Sequence, residues 1–208
     1  MIYELMKSRR SVRQFKPEPP SRAQIERLIE AAITAPSASN KQPWRFLVVT
    51  NREVIVRLAA AVRESVDRIA SHVEPSSEQA FRSYGDYFTR FETAPVVIVP
   101  IFKSLTVLSN LIDDRLSQSE RERIAVMERN SGLMGAAMAM ENLLLVAHEM
   151  RLGASGMTGP LVASDRTREI IDIPPLWDIA AFIPVGFAAE EPPATGRKPA
   201  DQVTRWIE

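Results

Sequence analysis

Three polar clusters hold the residues with which this chain could bind a ligand. Arg9-Arg10-Ser11-Val12-Arg13 sets three guanidinium groups and a hydroxyl within one short segment. Arginine grips phosphate oxygens bidentately, so the segment suits a phosphate monoester. A solvated basic patch is the plain alternative. Pro36-Ser37-Ala38-Ser39-Asn40-Lys41-Gln42-Pro43-Trp44 offers hydroxyls and amides, which can hydrogen-bond a polar heterocycle. The same composition also fits a helix–strand loop with Trp44 in the core. Gly153-Ala154-Ser155-Gly156-Met157-Thr158-Gly159-Pro160 allows close backbone approach to a ligand, with N–H groups free to point at it. An ordinary turn fits it as well. It is neither a G-x-G-x-x-G fingerprint nor a P-loop, so no Rossmann or ATP site is indicated.

Other chemistries find less support. The chain has no cysteine, which removes disulfides, thiolate catalysis and cysteine-held metals. His72 and His148 are far apart and lack the spacing of a metal motif, so no metal site is expected. His148 reads as a packed or surface residue, and Asp113-Asp114 as solvent-facing. No G-x-S-x-G elbow supports a serine triad. The 26 basic and 26 acidic residues cancel, which argues against a nucleic-acid binder needing positive charge to displace counterions. A binding module that uses the arginine cluster on an acidic partner is disfavoured for the same reason. The apolar stretch Ala94–Phe102 is far short of the roughly 20 residues that span a bilayer. No signal peptide is evident. A soluble, cytoplasmic protein is therefore expected, with no membrane partner.

The elements that must position these clusters are readable from periodicity. Length and composition suit one domain over 1–208. A short helix is predicted over Ile2–Lys7, then Pro17, Pro19 and Pro20 interrupt regular structure. Ser21 and Gln24 form a capping-box pattern ahead of an amphipathic helix to Ala35. Trp44–Thr50 reads as a strand, Glu53–Ala70 as a helix and Val96–Ile101 as a buried strand. Ser131–Met150 is apolar nearly all round, which implies burial on more than one side. Packing against a second copy is one solution, and a bulky residue at Gly135 is then expected to disturb assembly. Residues 103–118 carry no readable pattern. A helix capped by Ser164 or Asp165 is predicted to end near Ile171. Ile179–Phe187 reads as a strand placed at an edge or carrying a bulge, because of Pro184. Trp177 and Trp206 read as packing residues; Val203, Trp206 and Ile207 suggest that the proline-rich tail docks on something. The order is mixed α and β, without the regular alternation of a parallel βαβ fold.

The combination of motifs carries a resemblance. Arg-Arg-Ser-Val-Arg-Gln-Phe near the start, then Pro-Ser-Ala-Ser-Asn-Lys-Gln-Pro-Trp-Arg-Phe, then a long Gly/Ala/Met helix ending in Arg151-Leu152-Gly153, resemble the FMN-dependent nitroreductase family across nearly the whole chain. The resemblance implies an α+β, three-layer fold with a mostly antiparallel central sheet flanked by helices. It also implies an intertwined homodimer in which residues of about 188–208 embrace the partner. FMN would be the cofactor. Arg9, Arg10 and Ser11 would lie near its phosphate and ribityl chain, and Arg13 near the pyrimidine edge. Pro36, Ser37, Ser39, Asn40 and Gln42 would reach it from the other subunit. Gly156, Met157, Thr158 and Gly159 would face N5, and Arg197 would add to the phosphate site. The implied activity is hydride transfer from NAD(P)H through flavin N5 to an electron-poor acceptor, a nitroaromatic or quinone, by a ping-pong mechanism. The flavin carries the chemistry, so no catalytic side chain is assigned. The alternative within the same fold is a dehalogenase, or a dehydrogenase on a biosynthetic intermediate, not reduced by NAD(P)H; residues 103–130 would then supply its substrate lid.

Overall fold

The computed structural model describes residues 1–208. Helices α1 (Ile2–Ser8) and α2 (Arg22–Ala32) precede β1 (Trp44–Val49). Then come α3 (Arg52–Ala70), α4 (Glu78–Gly85), β2 (Val96–Phe102), the long α5 (Gln118–Glu149), β3 (Gly153–Ala154), α6 (Ser164–Ile170), β4 (Asp178–Ile179), β5 (Ile183–Gly186) and α7 (Ala200–Val203). The strands form one antiparallel sheet in the order β1-β2-β5-β3, with β4 also against β2.

Strand β2 explains the layering. All seven of its residues are buried, and their side chains alternate between faces. Val96, Ile98 and Phe102 join Ile25 and Leu28 of α2 and Ala136, Ala139 and Leu143 of α5. Val97, Val99 and Ile101 join Ile55, Leu58 and Val62 of α3 on the opposite face. The result is the expected three-layer α+β arrangement.

Ser21 caps α2 with its side chain on the Gln24 N–H, and Gln24 reciprocates. Helix α5 begins at Gln118, well before Ser131, behind a second capping box of Ser117 and Glu120. Its first turns are charged and mostly exposed, so no apolar period marks them. Gly135 does not face outward: a Cβ there would lie 3.4–3.5 Å from Trp44, Pro43 and Ser37 of the same chain. The expectation that Gly135 meets a partner helix is thus corrected. Met134 and Met138 are the α5 side chains left exposed beside it.

Two further expectations change. The N-cap of α6 is Ala163, and the Ser164 hydroxyl donates back to the Leu161 carbonyl instead of capping. Pro184 lies in β5, an inner strand between β2 and β3. It is tolerated there because the β3 ladder stops at Val185, leaving one flank without a bond to break. The predicted bulge is present: between β4 and β5 the register against β2 slips by one residue. No helix is long and apolar enough to cross a membrane.

Candidate functional site

The first and third clusters meet. The Val12 N–H donates to the Ala154 carbonyl at 3.1 Å, and Lys16 N–H to Phe187 at 2.8 Å. Gly153 is small because Val12 lies against it: an added Cβ would come within 2.6 Å of the Val12 side chain. The arginine segment is thereby strapped along β3, directly upstream of the glycine loop. Glu190 tightens the strap from the tail, accepting from the N–H groups of Arg13 at 2.7 Å and Gln14 at 3.1 Å.

Within that strap the arginines are incompletely satisfied. Arg9 is largely covered, its Nε is buried without a hydrogen-bond partner, and Glu141 of α5 lies 3.7 Å away. Arg10 donates to the Lys7 and Arg9 carbonyls at 2.7 and 2.9 Å. Arg13 reaches only the Ser11 carbonyl, at 3.5 Å. A buried, underused guanidinium is costly unless something satisfies it.

The glycine loop is partly committed to the protein itself. Met157 is buried and exchanges two backbone hydrogen bonds with Phe182, at 2.8 and 2.9 Å. Gly159 is required by packing, since an added Cβ would fall on the Phe88 ring. The N–H groups of Gly156 and Thr158 make no hydrogen bond within the chain, and both residues are exposed. Ser155 Oγ beside them is fully buried and unpartnered. These groups have no partner within the chain.

The second cluster lies elsewhere. Ser37 packs near Gly135, whereas Arg9 approaches Glu141 on the same helix. Those positions are about 9 Å apart along the axis and about two-thirds of a turn around it, so one chain shows the two clusters on different sides of α5. The loop is strained: Ser39, Asn40 and Gln42 all have φ near +50°, a region costly for residues with a Cβ. The Ser37 hydroxyl, accepting from the Gln42 N–H at 2.9 Å, holds it. Ser39, Asn40 and Gln42 are exposed, as is Pro36. Arg197 stands apart in the exposed tail, bonded only to Thr195 and Gly196.

His148, expected as a packed or surface residue, and Glu128 make contacts that the sequence does not disclose, because a single residue gives no periodic signal. His148, at the end of α5, lies 2.9 Å from Ser8 Oγ. Glu128 is the one buried acidic side chain. It accepts from the Leu108 N–H at 2.6 Å, the Ser109 N–H at 3.2 Å and the Ser109 hydroxyl, fastening the segment ahead of α5 to that helix. Burial pushes its carboxyl up, but the Ser109 hydroxyl and the surrounding N–H groups outweigh it and hold the pKa below the ordinary carboxylate value. A lowered folded-state pKa stabilises the fold above the ordinary carboxylate range, and that stability fades as pH falls through the folded value. Glu128→Gln is therefore expected to speed amide exchange at Leu108 and Ser109 about tenfold or more at neutral pH, as expected for loss of a charge-assisted bond. Unchanged exchange would show that the carboxylate does not hold the segment.

Comparison with known proteins gives the family context. Residues 6–187 match the model of the Nitroreductase family. An NADH dehydrogenase of Thermus thermophilus is 27% identical, over 95% of this chain and 92% of its own. A BluB-like flavoprotein of Clostridium difficile superposes with a TM-score of 0.88 at 22% identity, covering 100% of this chain and 99% of that one. An iodotyrosine deiodinase bound to FMN and 3-iodo-L-tyrosine superposes with a TM-score of 0.75 at 21% identity, over the full length of both chains.

Proposed function

The chain belongs to the nitroreductase family, and from that premise we propose that it is an FMN-dependent oxidoreductase acting as a homodimer, with each flavin site built from both protomers. The observation that carries this reading is the buried Arg9 Nε with no partner, beside Arg10 and against the strand that leads into the glycine loop.

The donor set fits FMN. Arg9, Arg10 and Ser11 match a phosphate and its ribityl chain, and Arg13 matches the pyrimidine edge. The free N–H groups of Gly156 and Thr158 match the ring near N5, with Met157 and Gly159 fixing the loop's course. Pro36, Ser37, Ser39, Asn40 and Gln42 come from the partner, because their own chain turns them to another side of α5. FMN, when bound, supplies hydride and electron transfer. The chain's part is to bind and orient it, place cations by its pyrimidine edge and keep water from its face.

Dimerisation is supported by what one chain leaves exposed. Met134 and Met138 of α5, Met1, Ile2, Tyr3 and Met6 around α1, and Val203, Trp206 and Ile207 of the tail all face outward. Such apolar surface marks an interface. Strand β1 is an open sheet edge. Beside it a groove of about 740 Å³ is lined by Pro19, Pro20, Ile25, Ile29, Ile33 and Val48. The partner's residues 188–208 fit there, bringing Arg197 across to the neighbouring site.

NADH or NADPH is the proposed donor and a nitroaromatic, quinone or similar electrophile the acceptor, alternating in one slot. The named Thermus thermophilus relative favours a nicotinamide donor. The second reading, a dehalogenase-type enzyme with another reductant, draws on the full-length likeness to the deiodinase. An absorbance spectrum of the protein with FMN, before and after anaerobic NADH or NADPH, tests both. Loss of the oxidised-flavin band supports the first reading. A retained band favours the second. Failure to take up FMN overturns both.

A further inference from the structure

His148 sits where the arginine segment meets the end of α5. Its Nε2 is 2.9 Å from Ser8 Oγ, and Ser8 Oγ is 3.1 Å from the Leu5 carbonyl. With the hydroxyl proton on that carbonyl, Nε2 carries the ring hydrogen and Nδ1 is left as the basic nitrogen, a tautomer assigned from the bonding pattern. With Arg10, Arg151 and Gly153 the ring lines a cleft of about 630 Å³. The charged groups around it are Arg9 and Arg10 from the N-terminal segment, Arg151 from the end of its own helix, and Glu190 and Glu191 from the tail. Glu190 is already occupied by the Arg13 and Gln14 N–H groups. Burial, then Arg10, then Arg9, all hold the imidazole below its ordinary pKa.

We infer that His148 is the proton-accepting member of the cofactor phosphate site, neutral beside Arg9 and Arg10 and protonated once a phosphate monoester dianion lies among them. The inference rests on the reading that the Arg9–Arg13 segment holds the FMN phosphate. Its physics is linkage. A phosphate of charge about −1.5 to −2 reverses the local potential that disfavours the imidazolium. The ring's pKa then rises, and a proton is taken up from solvent near neutral pH. The phosphate's own second pKa, about 6, shifts the other way among guanidinium groups and releases protons. The sign of the net proton change therefore identifies the histidine. The site consequently discriminates FMN from riboflavin more strongly on the acid side of neutrality, where the imidazolium persists.

The experiment is calorimetric titration of FMN into the apoprotein at pH 7, in two buffers of different ionisation enthalpy, with riboflavin in parallel. Net proton uptake on FMN binding is expected, and none for riboflavin. His148→Asn is expected to abolish the uptake and weaken FMN binding about three- to tenfold at pH 6.5, leaving riboflavin affinity unchanged. An NMR titration of the wild-type imidazole needs no variant: its pKa should rise when inorganic phosphate is added. FMN binding with no uptake, uptake that survives His148→Asn, or an imidazole pKa indifferent to phosphate each overturn the inference while leaving the cofactor reading intact. Failure to bind FMN removes both.

Discussion

Arg9→Ala is expected to weaken FMN binding about a hundredfold without lowering the stability of the apoprotein. The two effects have one cause. Arg9 is largely covered, its Nε has no partner, and Glu141 at 3.7 Å is beyond hydrogen-bond reach. A guanidinium held this way contributes little to the ligand-free fold and carries a desolvation cost. A phosphate would convert that cost into a charge-assisted bond, worth about 1.5–3 kcal/mol. Flavin fluorescence quenching gives the affinity, and thermal unfolding without flavin gives the stability. A melting temperature unchanged or raised, alongside weaker FMN binding, is the expected pair. Arg9→Lys should recover only part of the affinity, since an ammonium keeps the charge but not the planar fork. Unaltered FMN affinity in Arg9→Ala would remove the arginine segment from the site.

The second large effect is expected from the other end of the chain. Truncation after Pro199 removes α7 and the exposed Val203, Trp206 and Ile207. In a symmetric dimer two such tails are lost at once. Aromatic anchors at interfaces are commonly worth about 2 kcal/mol or more each, so the dimer should weaken at least about a thousandfold. Sedimentation at micromolar concentration should then show monomers. Because Ser37, Ser39 and Asn40 are proposed to serve the neighbour's flavin, FMN affinity should fall with assembly. A truncated chain that stays dimeric would place the interface elsewhere. One that is monomeric yet binds FMN undiminished would make the site intramolecular.

Much of this architecture is legible in the sequence, for identifiable reasons. β2 is short, β-branched and apolar on both faces, and it lies at the centre of the sheet. The Ser21 and Gln24 pattern does cap α2. The front of α5 was hidden because its charged turns project into solvent and bury only Glu128. Pro184 misdirects, because an inner strand tolerates proline where one neighbouring ladder has ended. For the site, residue types disclosed the clusters but not their juxtaposition. That Val12 hydrogen-bonds Ala154 is a tertiary fact with no local signature. The glycines show a further ambiguity. Gly153 and Gly159 are small to admit Val12 and Phe88, so a glycine-rich string alone cannot separate ligand approach from internal packing.

Helix α5 sets more than the layers. Ser37 lies against it at Gly135, Arg9 approaches it at Glu141, and Ser8 bonds it at His148. It thus works as a phase gauge: the angle between the amide-bearing loop and the arginine segment is set by the number of residues between those points. A substitution within the interval leaves that angle untouched. A single inserted or deleted residue turns everything beyond it by about 100°. It would swing the arginines away from their strand while each motif stayed whole. The chain can vary its letters here far more freely than its count.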